Sequence, residues 1–134
     1  MNHIFSHGGR DKYFPCKFKK DRAGDCVIRS ISIATGIDYM EVWNNLFSIG
    51  QRIGHLPNSE KTYHEYLTSL GWGKHKPMRK PNGRKYKLSQ APFDKTKNYI
   101  VTTSGHMTAV VGGNVHDIWD CRDWCGNSYY TRAK

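Results

Sequence analysis

The spacing of the apolar residues changes once along this chain, and that change restricts the fold more than any other feature of the sequence. Up to about residue 71, apolar residues recur at the three- and four-residue intervals typical of helices. From about residue 99 they lie in short runs of β-branched and aromatic residues, which favour strands. The sequence therefore predicts an α+β fold in which N-terminal helices pack on a C-terminal antiparallel β-sheet.

Three segments in the first half have both the pattern and the end signals of helices. The first begins at Cys26 and ends at Gly36, a residue type suited to a helix C-terminus. The second follows Asp38, a favourable N-cap, and the third follows Ser59 and ends at Gly71. We expect all three to pack against the strands that follow.

The second half of the chain has the composition of strands. Strands are predicted over residues 99–103, 106–111 and 115–119. The segment before them, residues 74–97, contains three prolines and many lysines and arginines. We predict a long basic loop there, with one short strand over residues 86–88.

The pair Gly112-Gly113 is a hairpin signal that sets the register of the last two strands. With a two-residue loop, Val110 pairs with Val115, and alternation places His106 on the same face as Asp117. Diagonal neighbours of this kind lie about 7 Å apart or less, so the carboxylate can reach the imidazole. A loop longer by one residue would shift the register and weaken the assignment.

A chain of 134 residues with 37% hydrophobic content can bury one modest core, so we predict one domain over residues 1–134. Its net charge of +10 is concentrated in an extended basic arm, residues 1–23, and in the basic loop, residues 74–97. Such charge attracts acidic proteins or nucleic acid. Nucleic acid is the less favoured partner because the chain has no recognised nucleic-acid motif. The candidate residues of this surface are Lys80, Arg84, Lys85 and Lys87.

Neither a membrane anchor nor a secretion signal is evident. No apolar run approaches the roughly 18 residues of a membrane span, and the N-terminal residues lack the apolar stretch of a signal peptide. We therefore expect a cytoplasmic protein without a membrane partner.

The chain has four cysteines, too few for a disulfide scaffold, so we expect reduced thiols. A zinc site built from Cys121, Cys125, His116 and the distant Cys16 is conceivable, but its spacing differs from that of common zinc motifs. A helical turn that packs Cys121 and Cys125 is the favoured interpretation. We predict no metal and no other cofactor.

Cys26, at the start of a predicted helix, suits a reactive thiol. The helix dipole and unpaired backbone N–H groups stabilise a thiolate there, and an adjacent imidazolium lowers the thiol pKa further. On the predicted hairpin, His106 can supply that imidazole, and Asp117 can fix its tautomer. A lone cysteine at a helix start usually serves packing, but the three residues together favour a catalytic site.

Three segments carry a resemblance to a known family: Gly24 to Ser30, Ser104 to Val110, and Val115 to Asp120. They resemble the papain-like cysteine peptidase superfamily, and most of all its small bacterial and phage-type members, such as the bacteriocin-processing peptidases. The resemblance implies a papain-like fold, Cys26 as nucleophile, His106 as general base and then acid, and Asp117 as the residue that holds His106. A phage origin, which would suit a short basic chain, would place the protein in the host cytoplasm.

The chain departs from the family pattern upstream of the nucleophile. Members of the family usually place Gln or Asn there as the second donor to the oxyanion, whereas this chain has Lys20 and Arg22. A flexible cation is a poorer preorganised donor than a fixed amide. Lys20 and Arg22, together with Trp119 beside the hairpin, are the candidate substrate-binding residues.

The predicted function is that of a cysteine-dependent hydrolase, a thiol protease or related enzyme. It would act on a peptide, isopeptide or related amide bond in a protein or peptide. Acidic substrates are compatible with its positive charge. The alternative is a catalytically weak or inactive papain-like binding module of the phage host-takeover or inhibitor type. Such a module would dock on an acidic protein or nucleic acid through its basic surface. Selective reactivity of Cys26 would favour the enzyme.

Overall fold

The structure, a computed structural model, describes residues 1–15 and 23–132. It confirms the α+β class: three α-helices lie on a six-stranded mixed sheet. The helices are α1 (Cys26–Thr35), α2 (Tyr39–Ile53) and α3 (Glu60–Ser69). The strands are β1 (His3–Phe5), β2 (Trp72–His75), β3 (Asn98–Thr103), β4 (His106–Val111), β5 (Asn114–Asp117) and β6 (Tyr129–Arg132).

The three predicted helices are confirmed, with small differences at their ends. Gly36 terminates α1 with a left-handed φ of 77°, a conformation that glycine adopts at little cost. Asp38 caps α2 because its Oδ2 accepts a hydrogen bond from the Met40 N–H at 3.1 Å. In the described part of the chain, no helix combines the length and hydropathy needed to cross a bilayer.

The sheet is mixed, so the expectation of a purely antiparallel sheet is wrong. Its strand order is β1-β5-β4-β3-β6-β2, and β1 pairs with β5 in parallel. The N-terminal residues predicted as an arm include this strand, in which Phe5 pairs with Asp117. A strand of three residues at a sheet edge carries too little alternation to be recognised from sequence.

The basic loop also differs from its prediction. Its first residues belong to β2, and no strand covers residues 86–88; a short 3₁₀ helix, Leu88–Gln90, follows instead. Isolated antiparallel β-bridges of the backbone join Arg79 to Lys85 and Lys87 to Cys125. Strands β2 and β6, which pair with each other at the far edge, were not predicted because each has only four residues, too few to show a clear alternation.

Helix α1 is fixed along β4 by apolar packing and by polar contacts at both ends. Ile31 of α1 and Ala109 of β4 are fully buried in the same cluster. The Ser30 hydroxyl donates to the carbonyl of Met107 at 2.8 Å, and the Asn98 amide donates to the carbonyl of Ala34 at 3.0 Å. The N-terminus of α1 is thereby held beside the first residues of β4.

Candidate active site

The β4–β5 hairpin has the predicted register. Val110 pairs with Val115 and Val111 with Asn114 across a two-residue loop. His106, at the start of β4, and Asp117, at the end of β5, consequently share a face. The His106 Nε2–H donates a hydrogen bond of 2.6 Å to Asp117 Oδ2, and both side chains are buried.

Cys26 is the first residue of α1, and its half-buried thiol adjoins the imidazole of His106 closely enough for the two groups to shift each other's pKa. Because Nε2 of His106 is engaged by Asp117, Nδ1 is the ring nitrogen available to the sulfur. The backbone N–H of Met107 also favours the ionised form of the thiol and so lowers its pKa. The structure therefore brings together the three residues selected from the sequence.

The protonation states at the site follow from these contacts. Burial opposes ionisation of Cys26, but the neighbouring imidazole of His106, the Met107 N–H and the charge of Arg29 outweigh it and lower the pKa of the thiol. Burial likewise disfavours the charged imidazole, yet Asp117 and the Cys26 thiolate raise the pKa of His106 to about 9. Between these two pKa values the site holds a thiolate beside an imidazolium, which is the nucleophilic form of a cysteine–histidine pair.

Asp117 is fixed through both of its carboxylate oxygens. Oδ2 accepts from His106, while Oδ1 accepts from the backbone N–H of Ile118 at 2.7 Å. The Arg29 guanidinium lies 3.6 Å from the same Oδ1. Burial opposes ionisation of Asp117, but the hydrogen bond from His106, the imidazolium charge and the charge of Arg29 hold its pKa below the ordinary value.

Asp25, beside the nucleophile, is neutralised by neighbouring cations. Its carboxylate forms a salt bridge with Arg29 on the next turn of α1, and Arg10 Nη1 lies 3.4 Å from Oδ2. The Tyr39 hydroxyl donates to the same oxygen at 2.7 Å. Arg29 therefore links the carboxylate of Asp25 to that of Asp117, and charges alternate in sign along the cluster.

Two tryptophans surround the imidazole. The ring of Trp119, a predicted substrate-binding residue, is half-buried and lies 5.2 Å from the His106 ring between centroids. The exposed Trp124 meets the same ring edge-on at 5.6 Å. These aromatic side chains restrict the motion of the imidazole and form part of the wall beside it.

Cys121 is a second thiol within the cluster, on the carboxylate side. Its buried Sγ–H donates to Asp117 Oδ2 at 3.8 Å. Burial raises the pKa of this thiol to about 12, and the charge of Asp117 adds to the effect. The expected helical turn around it is wrong: residues 121–124 form a turn outside any helix, and Cys125 is exposed.

Among the described residues, only His106, Asp117 and Cys121 form a cluster able to hold a metal, with donor atoms within 4.8 Å of one another. The zinc set considered from the sequence does not form, since Cys125 and His116 are not members of this cluster. A metal would require the Cys121 thiolate and would compete with the His106–Asp117 hydrogen bond. The neutral thiol and the paired carboxylate fit a hydrogen-bonded cluster better than a metal centre.

Some predicted residues lie outside the described ranges or away from the site. Lys20, Arg22 and Cys16 belong to residues 16–22, which the structure does not describe. The cations of the predicted basic surface lie on the 76–97 loop: Lys80 and Lys85 are partly exposed, and Arg84 and Lys87 are exposed.

Arg29 is a site residue that the sequence reasoning missed, and Trp124 is one that it considered for a substrate groove but did not select. Arg29 stands alone as a charge within the apolar α1 pattern, and Asp25 precedes it by four residues, the spacing of a helical ion pair. That signal was available in the sequence. Contact between Trp124 and His106 depends on an irregular turn, for which the sequence carries no comparable signal.

Comparisons of this chain with models of known families, with curated proteins and with solved structures each found no significant match.

Proposed function

We propose that this protein is a cysteine-dependent hydrolase of the papain-like type, acting on a peptide, isopeptide or related amide bond in the cytoplasm. The observation that carries the proposal is the connected series Cys26–His106–Asp117, in which the imidazole adjoins the thiol on one side and donates to the carboxylate at 2.6 Å on the other. A thiolate at a helix N-terminus is further stabilised by the helix dipole.

The first chemical step would form an acyl-enzyme on Cys26. The thiolate attacks the carbonyl carbon, and an S–C bond forms as the carbonyl electrons move to oxygen. When the tetrahedral species collapses, the C–N bond breaks and the imidazolium of His106 gives its proton to the leaving amine. Asp117 holds the ring in the tautomer that this transfer requires.

The oxyanion of the tetrahedral species can be met by backbone N–H groups at the start of α1. In the described chain, the side chain of Asp25, the N-cap residue, makes no capping hydrogen bond to this turn. It is drawn instead toward Arg29, Arg10 and Tyr39. The N–H groups of the first turn, which have no partner within the helix, therefore remain available to a developing negative charge.

The second step would hydrolyse the thioester. Neutral His106 takes a proton from water as the water oxygen attacks the thioester carbon. The S–C bond then breaks, the carboxylic acid leaves, and the thiolate–imidazolium pair is restored. The residues described here supply all proton transfers of this cycle.

A burst experiment with an activated ester, p-nitrophenyl acetate, tests the proposal without knowledge of the natural substrate. We expect rapid release of about one equivalent of nitrophenol, followed by slower turnover, because acylation precedes hydrolysis. Mass spectrometry of the quenched reaction should locate the acetyl group on Cys26.

The matched control is Cys121→Ala, which removes a thiol from the same cluster and should retain the burst. Cys26→Ala should remove it. An acetyl group found only on lysines, or an unchanged burst in Cys26→Ala, would refute the enzyme and favour the binding-module alternative.

A further inference from the structure

The basic loop adjoins the candidate active site through the segment that carries Trp124. Leu88 N–H donates to the carbonyl of Trp124 at 2.9 Å, and Gly126 N–H donates to that of Tyr86 at 3.2 Å. The backbones of Lys87 and Cys125 form an isolated β-bridge. These bonds hold Lys85 and Lys87 beside the segment that carries Trp124, whose ring contacts His106.

A cleft of about 420 Å³ lies at this junction. Its lining residues are Lys85, Ser104, Trp124, Cys125 and Asn127. The ring of Trp124 contacts that of His106, and none of the lining residues belongs to α1. The cleft therefore lies on the imidazole side of the site. A smaller cleft of about 230 Å³, lined by Val27, Trp43 and Phe47 among others, lies at the mouth of α1 and is largely apolar.

The chemistry distinguishes the two sides of a bound substrate. His106 must donate its proton to the leaving nitrogen, so this nitrogen and the residues that follow it lie on the imidazole side. The acyl part stays bonded to Cys26 at the helix mouth. The 420 Å³ cleft is consequently placed to receive the leaving group.

The charge of this cleft is strongly positive. Residues 74–97 contain nine lysines and arginines and one acidic residue, Asp94. Lys85 Nζ donates to the Asn127 amide oxygen at 2.7 Å, a neutral partner that leaves its charge uncompensated. In the turn before Trp124, Asp120 is paired with Arg122 at 2.7 Å, and Asp123 lies in the field of the same arginine.

We infer that the cleft beside His106 selects substrates with an acidic residue directly after the scissile bond, with Lys85 and Lys87 as the residues that determine this preference. The inference rests on the proposed function. A peptide is the occupant that the geometry favours because the cleft continues from the leaving nitrogen of an amide. Trp124 supplies an apolar surface for the stem of an acidic side chain, and Lys85 supplies its counter-charge.

The test uses three peptidyl vinyl sulfones with the same acyl-side sequence and with glutamate, glutamine or lysine attached to the sulfone side. The thiolate adds to the vinyl carbon and His106 protonates the adjacent carbon, so no leaving group is needed. We expect the glutamate probe to label Cys26 about fivefold faster than the glutamine probe at low salt, the scale of a surface ion pair. The ratio should fall as salt is added.

Charge variants locate the effect. The double variant Lys85→Gln/Lys87→Gln should label equally with glutamate and glutamine probes, and Lys85→Glu/Lys87→Glu should prefer the lysine probe. The matched control is Lys95→Gln/Lys97→Gln, which removes the same charge from the same loop. Lys95 packs beside Gly113, at the other end of β4 from His106 and about 20 Å away, so this control should keep the preference.

Each outcome separates the inference from the function on which it rests. Equal rates for all probes in the wild type, or equal loss of preference in both glutamine double variants, would overturn the inference while Cys26 remains reactive. Equal probe rates together with tight binding of a short oligonucleotide would assign these cations to nucleic acid and overturn it too. Failure of every probe to label Cys26 would refute the hydrolase itself.

Discussion

Two thiols occupy opposite ends of the same imidazole–carboxylate pair, and their surroundings have opposite effects on them. Cys26 meets the imidazole end, at the positive end of a helix, and its pKa is lowered. Cys121 meets the carboxylate end, its side chain is fully buried, and its pKa is raised to about 12. The sequence contains four cysteines of similar intrinsic chemistry. Their position relative to His106 and Asp117 decides which of them can react.

The comparison shows that the carboxylate favours a thiolate only through the imidazole. Where Asp117 contacts a sulfur directly, as at Cys121, its charge opposes the thiolate. Where His106 intervenes, the same charge stabilises the imidazolium and so favours the thiolate of Cys26. The following substitutions test this difference in reactivity between Cys26 and Cys121.

The largest effect is expected from replacing the thiols themselves. Cys26→Ala should remove the fast alkylation by iodoacetamide at pH 6, since burial raises the pKa of the other thiol of the cluster, Cys121, to about 12. Cys121→Ala should change the rate at Cys26 only slightly, because Cys121 bonds Asp117 weakly at 3.8 Å. Peptide mapping by mass spectrometry measures both. Comparable labelling of Cys26 and Cys121 in the wild type would contradict the expected difference in reactivity between the two thiols.

Replacement of the imidazole should have the next largest effect. His106→Ala should lower the labelling rate of Cys26 at pH 6, because without the imidazole the ionised fraction falls toward that of a thiol of ordinary pKa, about 8.5, which is less than about 1% ionised there. His116→Ala is the matched control: it lies on the neighbouring strand, paired with Ala109, and should keep the wild-type rate. A similar loss in both variants would point to disruption of the hairpin.

Asp117→Asn should narrow the pH range in which the thiolate–imidazolium pair exists. Without the carboxylate, the pKa of His106 falls from about 9 toward its ordinary value, so the imidazolium is lost at lower pH. The titration of His106 by NMR measures this shift directly. Asp120→Asn, which removes an exposed carboxylate paired with Arg122, should leave the titration unchanged.

Arg29→Met should have a smaller effect on reactivity and a clear effect on stability. Loss of the guanidinium charge raises the pKa of the Cys26 thiol, so the alkylation midpoint moves to higher pH. Two buried carboxylates, Asp25 and Asp117, also lose a shared partner, which costs about 3 kcal/mol in the free energy of unfolding. Urea denaturation and the pH profile measure the two effects.

Arg29→Lys should reverse part of the shift in the alkylation midpoint. Arg122→Met, at an exposed ion pair, should change neither the midpoint nor the free energy of unfolding. A loss of stability in Arg29→Met without any change in the midpoint would limit Arg29 to a structural role.

The sequence was sufficient to predict those parts of the site that depend on local rules. The start of α1 at Cys26 follows from helix periodicity, and the approach of Asp117 to His106 follows from the two-residue turn at Gly112-Gly113. Both are determined by residues close together in the chain. The contact between Cys26 and His106 depends on packing of α1 against β4, and the sequence could only suggest it.

The remaining features depend on long-range contacts that no local pattern encodes. Strand β1 is defined by its pairing with β5, more than a hundred residues later, and β6 by its insertion between β3 and β2. The irregular turn that places Cys121 against Asp117 and Trp124 against His106 follows from backbone bonds to the basic loop. Such contacts become visible only when the chain is folded.

The most direct test of the central claim is the alkylation rate of Cys26 as a function of pH, in the wild type and in His106→Ala. We expect the wild-type thiolate to form below the ordinary thiol pKa, with a second inflection near pH 9 as His106 loses its proton. In His106→Ala a single transition should remain near pH 8.5, which is about the ordinary pKa of a cysteine thiol. A single transition near that pH in both proteins would show that the imidazole does not activate the thiol and would contradict the account.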